Sequence, residues 1–177
     1  MPMLDRKKCF ALWDKYNVPD NVRAHSLQVE RVAVLLAKKL NDNSVRVNVE
    51  KVSAGALLHD IGKIVSIEQG KRENIVSKRI LEEEGFPEIA RIAEMHIVSK
   101  ILEPDFKECN LEEKIVYYAD KRVRHDKIVS VRERIRDLAE RYYQSAETIN
   151  QCLQNILWLE KELFSKAKTK TDLSEIK

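Results

Sequence analysis

His59 and Asp60 stand side by side in Leu57-Leu58-His59-Asp60-Ile61-Gly62-Lys63, at the end of a nearly unbroken apolar run that starts at Val52. A neutral imidazole and an ionised carboxylate are both ligands for divalent metals. A core histidine hydrogen-bonded to its neighbour would leave the same dipeptide, so the pair alone keeps both readings open. Adjacent helical residues point about 100° apart, which suits two ligands embracing one ion. A metal site needs further ligands from the rest of the chain.

The elements that must supply them can be read from apolar spacing. Residues 50–61 read as a helix apolar on nearly all sides, placed in the middle of a helical bundle. Gly62 is expected to close it, as a residue that tolerates positive φ. A helix from about 20 to 40, capped by Asp20, carries His25 on one face with Val29, Val32, Ala33, Leu36 and Leu40. After Lys63 comes a polar connection through Gln69-Gly70-Lys71-Arg72. A helix over 74–84 ends at Gly85. Pro87 then opens another, whose inward face is Ile89, Ile92, Ala93 and His96. Asn110 caps a helix from 111 to about 124, with Glu113 in the capping-box position. Asp120 shares its stripe with Val116 and Val123, and a buried carboxylate needs a cation, several donors or a metal.

His25, His59, Asp60 and Asp120 thus converge on inward positions of different helices. Their joint occurrence favours one metal site over four separate core roles. His125 sits among Lys121, Arg122, Arg124 and Lys127, which reads as a solvated charge run.

The wider composition is ordinary. The chain has 177 residues, 34% charged and 44% hydrophobic, which suits a globular protein of one domain with an extension. A net charge of +3 gives no support to a nucleic-acid partner. No apolar run reaches transmembrane length and the first residues lack a signal-peptide core, so the expected location is cytoplasmic, with no membrane association. Cys9, Cys109 and Cys152 are unpaired in spacing and read as reduced packing residues. Stripes at three and four spacing dominate, which makes the chain all-α. Residues 126 to about 166 read as helix with a break near Ser145 and Thr148. Ile128, Val131, Ile135, Leu138 and Tyr142 mark one stripe; Ile149, Cys152, Ile156, Leu159 and Leu163 mark another. Trp158, Leu159, Leu163 and Phe164 exceed what a small core covers, which leaves room for a homodimer through the C-terminal helices. Residues 166–177 are expected to fray.

His25-Ser26, Leu58-His59-Asp60-Ile61-Gly62-Lys63 and Ala119-Asp120-Lys121 resemble the HD-domain superfamily of metal-dependent phosphohydrolases, in its branch with the His-Asp-Ile-Gly signature. The resemblance spans about residues 20–136. It implies an all-α HD-domain bundle over 1–136, with 137–177 as a C-terminal helical extension that packs on the domain or a partner. It implies metal ligation by His25, His59, Asp60 and Asp120, and a Lys63 close to a substrate phosphate. Two-metal members place a further histidine where this chain has Glu73 or Asn74, while His96 matches their second one. One ion per chain is therefore expected, with Glu73 as a possible substitute ligand. Two imidazoles and two carboxylates without thiolates suit Mn, Fe, Co or Ni better than Mg or Zn.

The expected activity is hydrolysis of a phosphoester in a small phosphorylated substrate, foremost a nucleotide, by attack of a metal-activated water on phosphorus. Asp60 would orient that water and Lys63 offset phosphate charge. His96 would hydrogen-bond the phosphate or protonate the leaving oxygen. The alternative is a regulatory module that binds metal or nucleotide without turnover. The retained ligand quartet argues against it.

Overall fold

The computed structural model describes residues 4–170, 172–174 and 176. The first three residues, and 171, 175 and 177 of the tail expected to fray, lie outside them. Asp5 caps the first helix, α1 (Arg6–Lys15), by accepting from the Lys8 backbone N–H, and Leu12 and Trp13 face inward from it. The long helix α2 (Asp20–Asp42) starts one residue earlier than expected. Pro19 occupies the cap position, its carbonyl taking the Val22 and Arg23 amides, and Asp20 lies in the first turn. The central α3 (Val49–Leu58) buries Val52, Ala54, Gly55, Ala56, Leu57 and Leu58. It packs on α2, on α6 (Pro87–Met95) and on α7 (Leu111–Asp120). An apolar helix covered on three sides has no polar face to offer water, so its period is hidden while its composition is not.

Gly62 works differently from the expectation. Its φ is −83°, and no left-handed turn is made there. A Cβ at Gly62 would stand 2.6 Å from the Ser77 backbone nitrogen, so the glycine is needed for close approach to α5 (Glu73–Glu83). The polar connection expected after Lys63 is partly a helix, α4 (Lys63–Gln69), ended by Gly70 at φ 61°. Gly85, at φ 85°, follows α5 as expected. Two short 3-10 helices, Val98–Leu102 and Pro104–Glu108, bridge α6 and α7.

The helix α7 carries the expected Asn110–Glu113 capping box but stops at Asp120. The chain then forms a hairpin, β1 (Val123–Arg124) with β2 (Lys127–Ile128), in which Val123 pairs with Ile128. His125 makes the tip at φ 55°. Thus residues 126–130 are not helical. Ser130 and Glu133 form a second capping box that starts α8 (Val131–Arg141). After a 3-10 turn, Tyr143–Ser145, the break expected near Ser145 gives way to α9 (Ala146–Ala167). The C-terminal helix lies against α2, α7 and α8. Leu159, Leu163 and Phe164 are buried there, and Trp158 alone of that group is exposed, at 64%. Leu173 is buried beyond the helix end, so the tail is anchored at that point. The architecture is all-α apart from the hairpin, and no helix among the described residues is long and apolar enough to cross a membrane.

Candidate metal centre

Five elements deliver the donors to one end of α3. His25 comes from the first turns of α2, His59 from the C-cap of α3 and Asp60 from the turn after it. Glu73 opens α5, His96 caps the C-terminus of α6, and Asp120 ends α7. Helix ends leave backbone carbonyls unpaired, and two of the histidines use them. His59 Nδ1 donates to the Ala56 carbonyl at 2.8 Å and His96 Nδ1 to the Ala93 carbonyl at 2.6 Å. His25 Nδ1 donates to the carbonyl of His125, at the hairpin tip, at 2.8 Å. A carbonyl only accepts, so each ring carries its hydrogen on Nδ1 and turns Nε2 to the centre.

The Nε2 atoms face carboxylates. His25 Nε2 is 2.9 Å from Asp120 Oδ1, and His59 Nε2 is 3.8 Å from that same oxygen. His59 Nε2 is also 3.6 Å from Asp60 Oδ2. On the other side of Asp60, Oδ1 lies 3.3 Å from His96 Nε2, which is 3.2 Å from Glu73 Oε2. Asp60 therefore spans two donor sets, His25–His59–Asp120 and Asp60–Glu73–His96, each with its atoms within 4.8 Å of one another. A lone pair facing a carboxylate is repulsive unless a proton or a metal stands between them. His59 Nε2 is fully buried and has no hydrogen-bond partner. Bonds of about 2.1 Å to one ion put neighbouring donors about 3 Å apart, so the observed spacings fit divalent ions.

Protonation separates the two sets. Burial lowers the His59 pKa to about 4, which keeps its ring a neutral ligand. Burial also opposes charge on His96, but Glu73 and Asp60 outweigh it and lift the pKa to about 10. Without metal, a proton on His96 holds the second set together. Burial and the neighbouring Asp60 raise Glu73. Asp120 is held well below the usual carboxylate range because Lys121 and His25 outweigh its burial.

Every residue singled out from the sequence reaches this centre, Lys63 and His96 among those lining its cavity of about 670 Å³. Of Glu73 and Asn74, the first faces the donors. Asn74 turns away and donates to the Glu94 carbonyl at 3.1 Å. Ser77 sets Glu73: it accepts the Gly62 N–H at 2.9 Å and donates to Glu73 Oε1 at 2.7 Å. The solvated charge run expected around His125 holds only in part. Lys121 and Arg122 are buried, at 1% and 5% exposure, while His125 is exposed. Lys121 Nζ contacts Asp120 Oδ2 at 2.5 Å and the His96 carbonyl at 2.7 Å. Sequence spacing gave no sign of this, because a lysine beside an aspartate in a basic run looks solvated. The far wall of the cavity comes from α8 and α9, with Arg134, Leu138, Tyr142 and Ile149, and was also missed.

Residues 22–124 match the model of the HD domain family. The chain is 35% identical over 145 residues to the uncharacterized protein MJ0778 of Methanocaldococcus jannaschii, covering 76% of this chain and 85% of that one. It is 34% identical over 140 residues to a tRNA (cytidine(56)-2'-O)-methyltransferase of Thermoplasma volcanium, covering 73% of this chain but only 39% of that protein. Over 65 residues it is 40% identical to Ribonuclease Y of Thermosipho melanesiensis, covering 37% of this chain and 12% of that one. No solved structure matches. The histidine and aspartate geometry and the matched segment agree: the chain belongs to the HD-domain superfamily of metal-dependent phosphohydrolases.

Proposed function

We propose that the protein hydrolyses a phosphoester of a nucleotide or similar small phosphorylated compound, with the help of two divalent ions. The observation that carries this reading is the position of Glu73, whose Oε2 stands 3.2 Å from His96 Nε2 where a second ligand set needs a donor. This reading sets two ions in place of the one expected from the sequence. His25, His59 and Asp120 would hold the first ion and Glu73, His96 and Asp60 the second. Mn, Fe, Co or Ni suit this mixture of imidazole and carboxylate.

Such ions supply Lewis acidity at the phosphate and a water of lowered pKa. The chain's own groups do the rest. Asp60 accepts a hydrogen bond from the attacking water and fixes its direction. Lys63, kept cationic by Asp60 and Glu73 despite burial, offsets phosphate charge. The cavity of about 670 Å³ has room for a nucleoside beside its phosphate. Tyr142, half exposed on the far wall, offers a ring against which a base can stack.

A second reading takes the phosphoester in an RNA, favoured by relatives named as a tRNA methyltransferase and as Ribonuclease Y. Release of phosphate or of nucleotide is measured on a nucleoside mono- and dinucleotide panel and on short oligoribonucleotides, with Mn, Co, Ni or Mg added. Turnover of nucleotides that falls at least a hundredfold in Asp60→Ala supports the first reading. Turnover confined to oligoribonucleotides supports the second. Bound metal without turnover on either set overturns both in favour of a regulatory module.

A further inference from the structure

We infer that Arg134, brought by α8 from outside the segment matched by the family model, is a phosphate-binding residue of this centre and that Asp137 positions it. The inference rests on the phosphohydrolase reading and names a contact that reading lacks.

Arg134 is 8% exposed and lines the cavity beside the metal donors. Asp137 takes its Nη1 hydrogen at 2.9 Å, one helical turn away. Its Nε is buried with no hydrogen-bond partner. Its Nη2 approaches Asp120 Oδ1 only to 3.8 Å, beyond hydrogen-bond length. A guanidinium carries five donors in a planar fork, and leaving them unspent in a buried place is costly. Arg134 is not simply the counter-ion of Asp120. Lys121 already fills that role at 2.5 Å, and its remaining contacts are the His96 carbonyl and the face of Tyr117, 4.5 Å away. Lys121 is thus spent on structure, while Arg134 is held at the cavity wall with donors free.

Asp120 stands between Arg134 and the rest of the first donor set at 3.8 Å, too far to take its hydrogen, so the unspent donors call for a nearer anion. A phosphate bound to the ions supplies that anion and matches the fork in shape. Lys63 from α4 and Arg134 from α8 then contact the phosphate from two elements. Arg141 also bonds Asp137 and lies at the exposed rim, so one carboxylate orients both arginines. The site is therefore incomplete without the C-terminal helices. An HD core ended at residue 124 would lose this contact, along with the His125 carbonyl that orients His25.

The test uses the full chain loaded with Mn. Inorganic phosphate is the probe, its affinity read by calorimetry, beside Mn content and phosphoester turnover, for wild type, Arg134→Gln, Arg134→Lys and Asp137→Asn. Phosphate affinity is expected to fall about 10- to 100-fold in Arg134→Gln and less in Arg134→Lys, which keeps charge but loses the fork. Asp137→Asn should fall between wild type and Arg134→Gln, with Mn content unchanged throughout. Unchanged phosphate affinity in Arg134→Gln, loss of Mn in step with phosphate, or no phosphate binding by the wild type would overturn the inference. If Arg134→Gln does not fold, wild-type affinity in Asp137→Asn overturns it. Arg134-dependent phosphate binding without turnover would sink the hydrolase reading and leave this one standing. Turnover with an unchanged KM in Arg134→Gln would do the reverse.

Discussion

The Ser77 hydroxyl donates to Oε1 of Glu73 at 2.7 Å, and that bond turns the other oxygen of Glu73 toward His96. The same hydroxyl accepts from the Gly62 amide, so the turn after His59-Asp60 and the start of α5 are tied at one oxygen. Ser77→Ala removes the tie without filling the space. The second ion should then bind about tenfold more weakly while the first is unaffected, as read by calorimetric titration with Mn. Equal loss at both ions would mean that Ser77 supports the fold rather than Glu73.

Gly62→Ala tests the same junction from the other side. The added Cβ meets the Ser77 backbone nitrogen at 2.6 Å and its hydroxyl oxygen at 2.8 Å. Neither the turn nor α5 can shift freely, since both carry ligands. A loss of about 1–3 kcal/mol in urea unfolding is expected. An unchanged midpoint would show that the approach is looser than described.

Lys121 offers a test of the buried charges. Its ammonium is 1% exposed, and burial lowers its pKa although Asp120 opposes the shift. Lys121→Met keeps the volume and leaves Asp120 without its nearest cation. Breaking such a pair costs about 3–5 kcal/mol. Urea unfolding of metal-free protein measures it, and Mn should restore part of the loss by neutralising Asp120. A neutral effect without metal would contradict the pairing.

The pH dependence of metal-free protein follows from His96. An unfolded histidine titrates near 6.5, and in the fold Glu73 and Asp60 lift His96 to about 10 against its burial. The stabilisation from that imidazolium is complete below about pH 6.5 and is lost as pH rises through about 10. The stability difference between wild type and His96→Asn should shrink over that window. Mn uptake by the Glu73 set should tighten about tenfold per pH unit between 7 and 9, because the ion displaces the His96 proton. A flat uptake curve would contradict a protonated His96.

Much of this centre was legible in the sequence, for reasons visible in particular residues. His25 and Asp120 each sit on an apolar stripe, and stripes survive folding because the core enforces them. Glu73 was legible only as one of two neighbours, since a difference of one helical position decides between the centre and the Glu94 carbonyl. The short α4 was hidden because Ile67 is 70% exposed and the helix has hardly two turns to show a period. The burial of Lys121 and Arg122 was not legible at all. Asp120 is a sequence neighbour, but the His96 carbonyl and Glu160 are brought in by tertiary packing, which a local run of charges does not encode. The hairpin escaped for a similar reason. Four strand residues leave no alternation, although its His125 carbonyl fixes the His25 ring.

Asp60 is proposed to lie between two metal sites, the second completed by Glu73. Metal content of protein purified with Mn, read by mass spectrometry on wild type and Glu73→Gln, tests it most directly. Two ions per chain are predicted in the wild type and one in Glu73→Gln. One ion in both proteins would contradict the second site, and none in the wild type would contradict the centre as a whole.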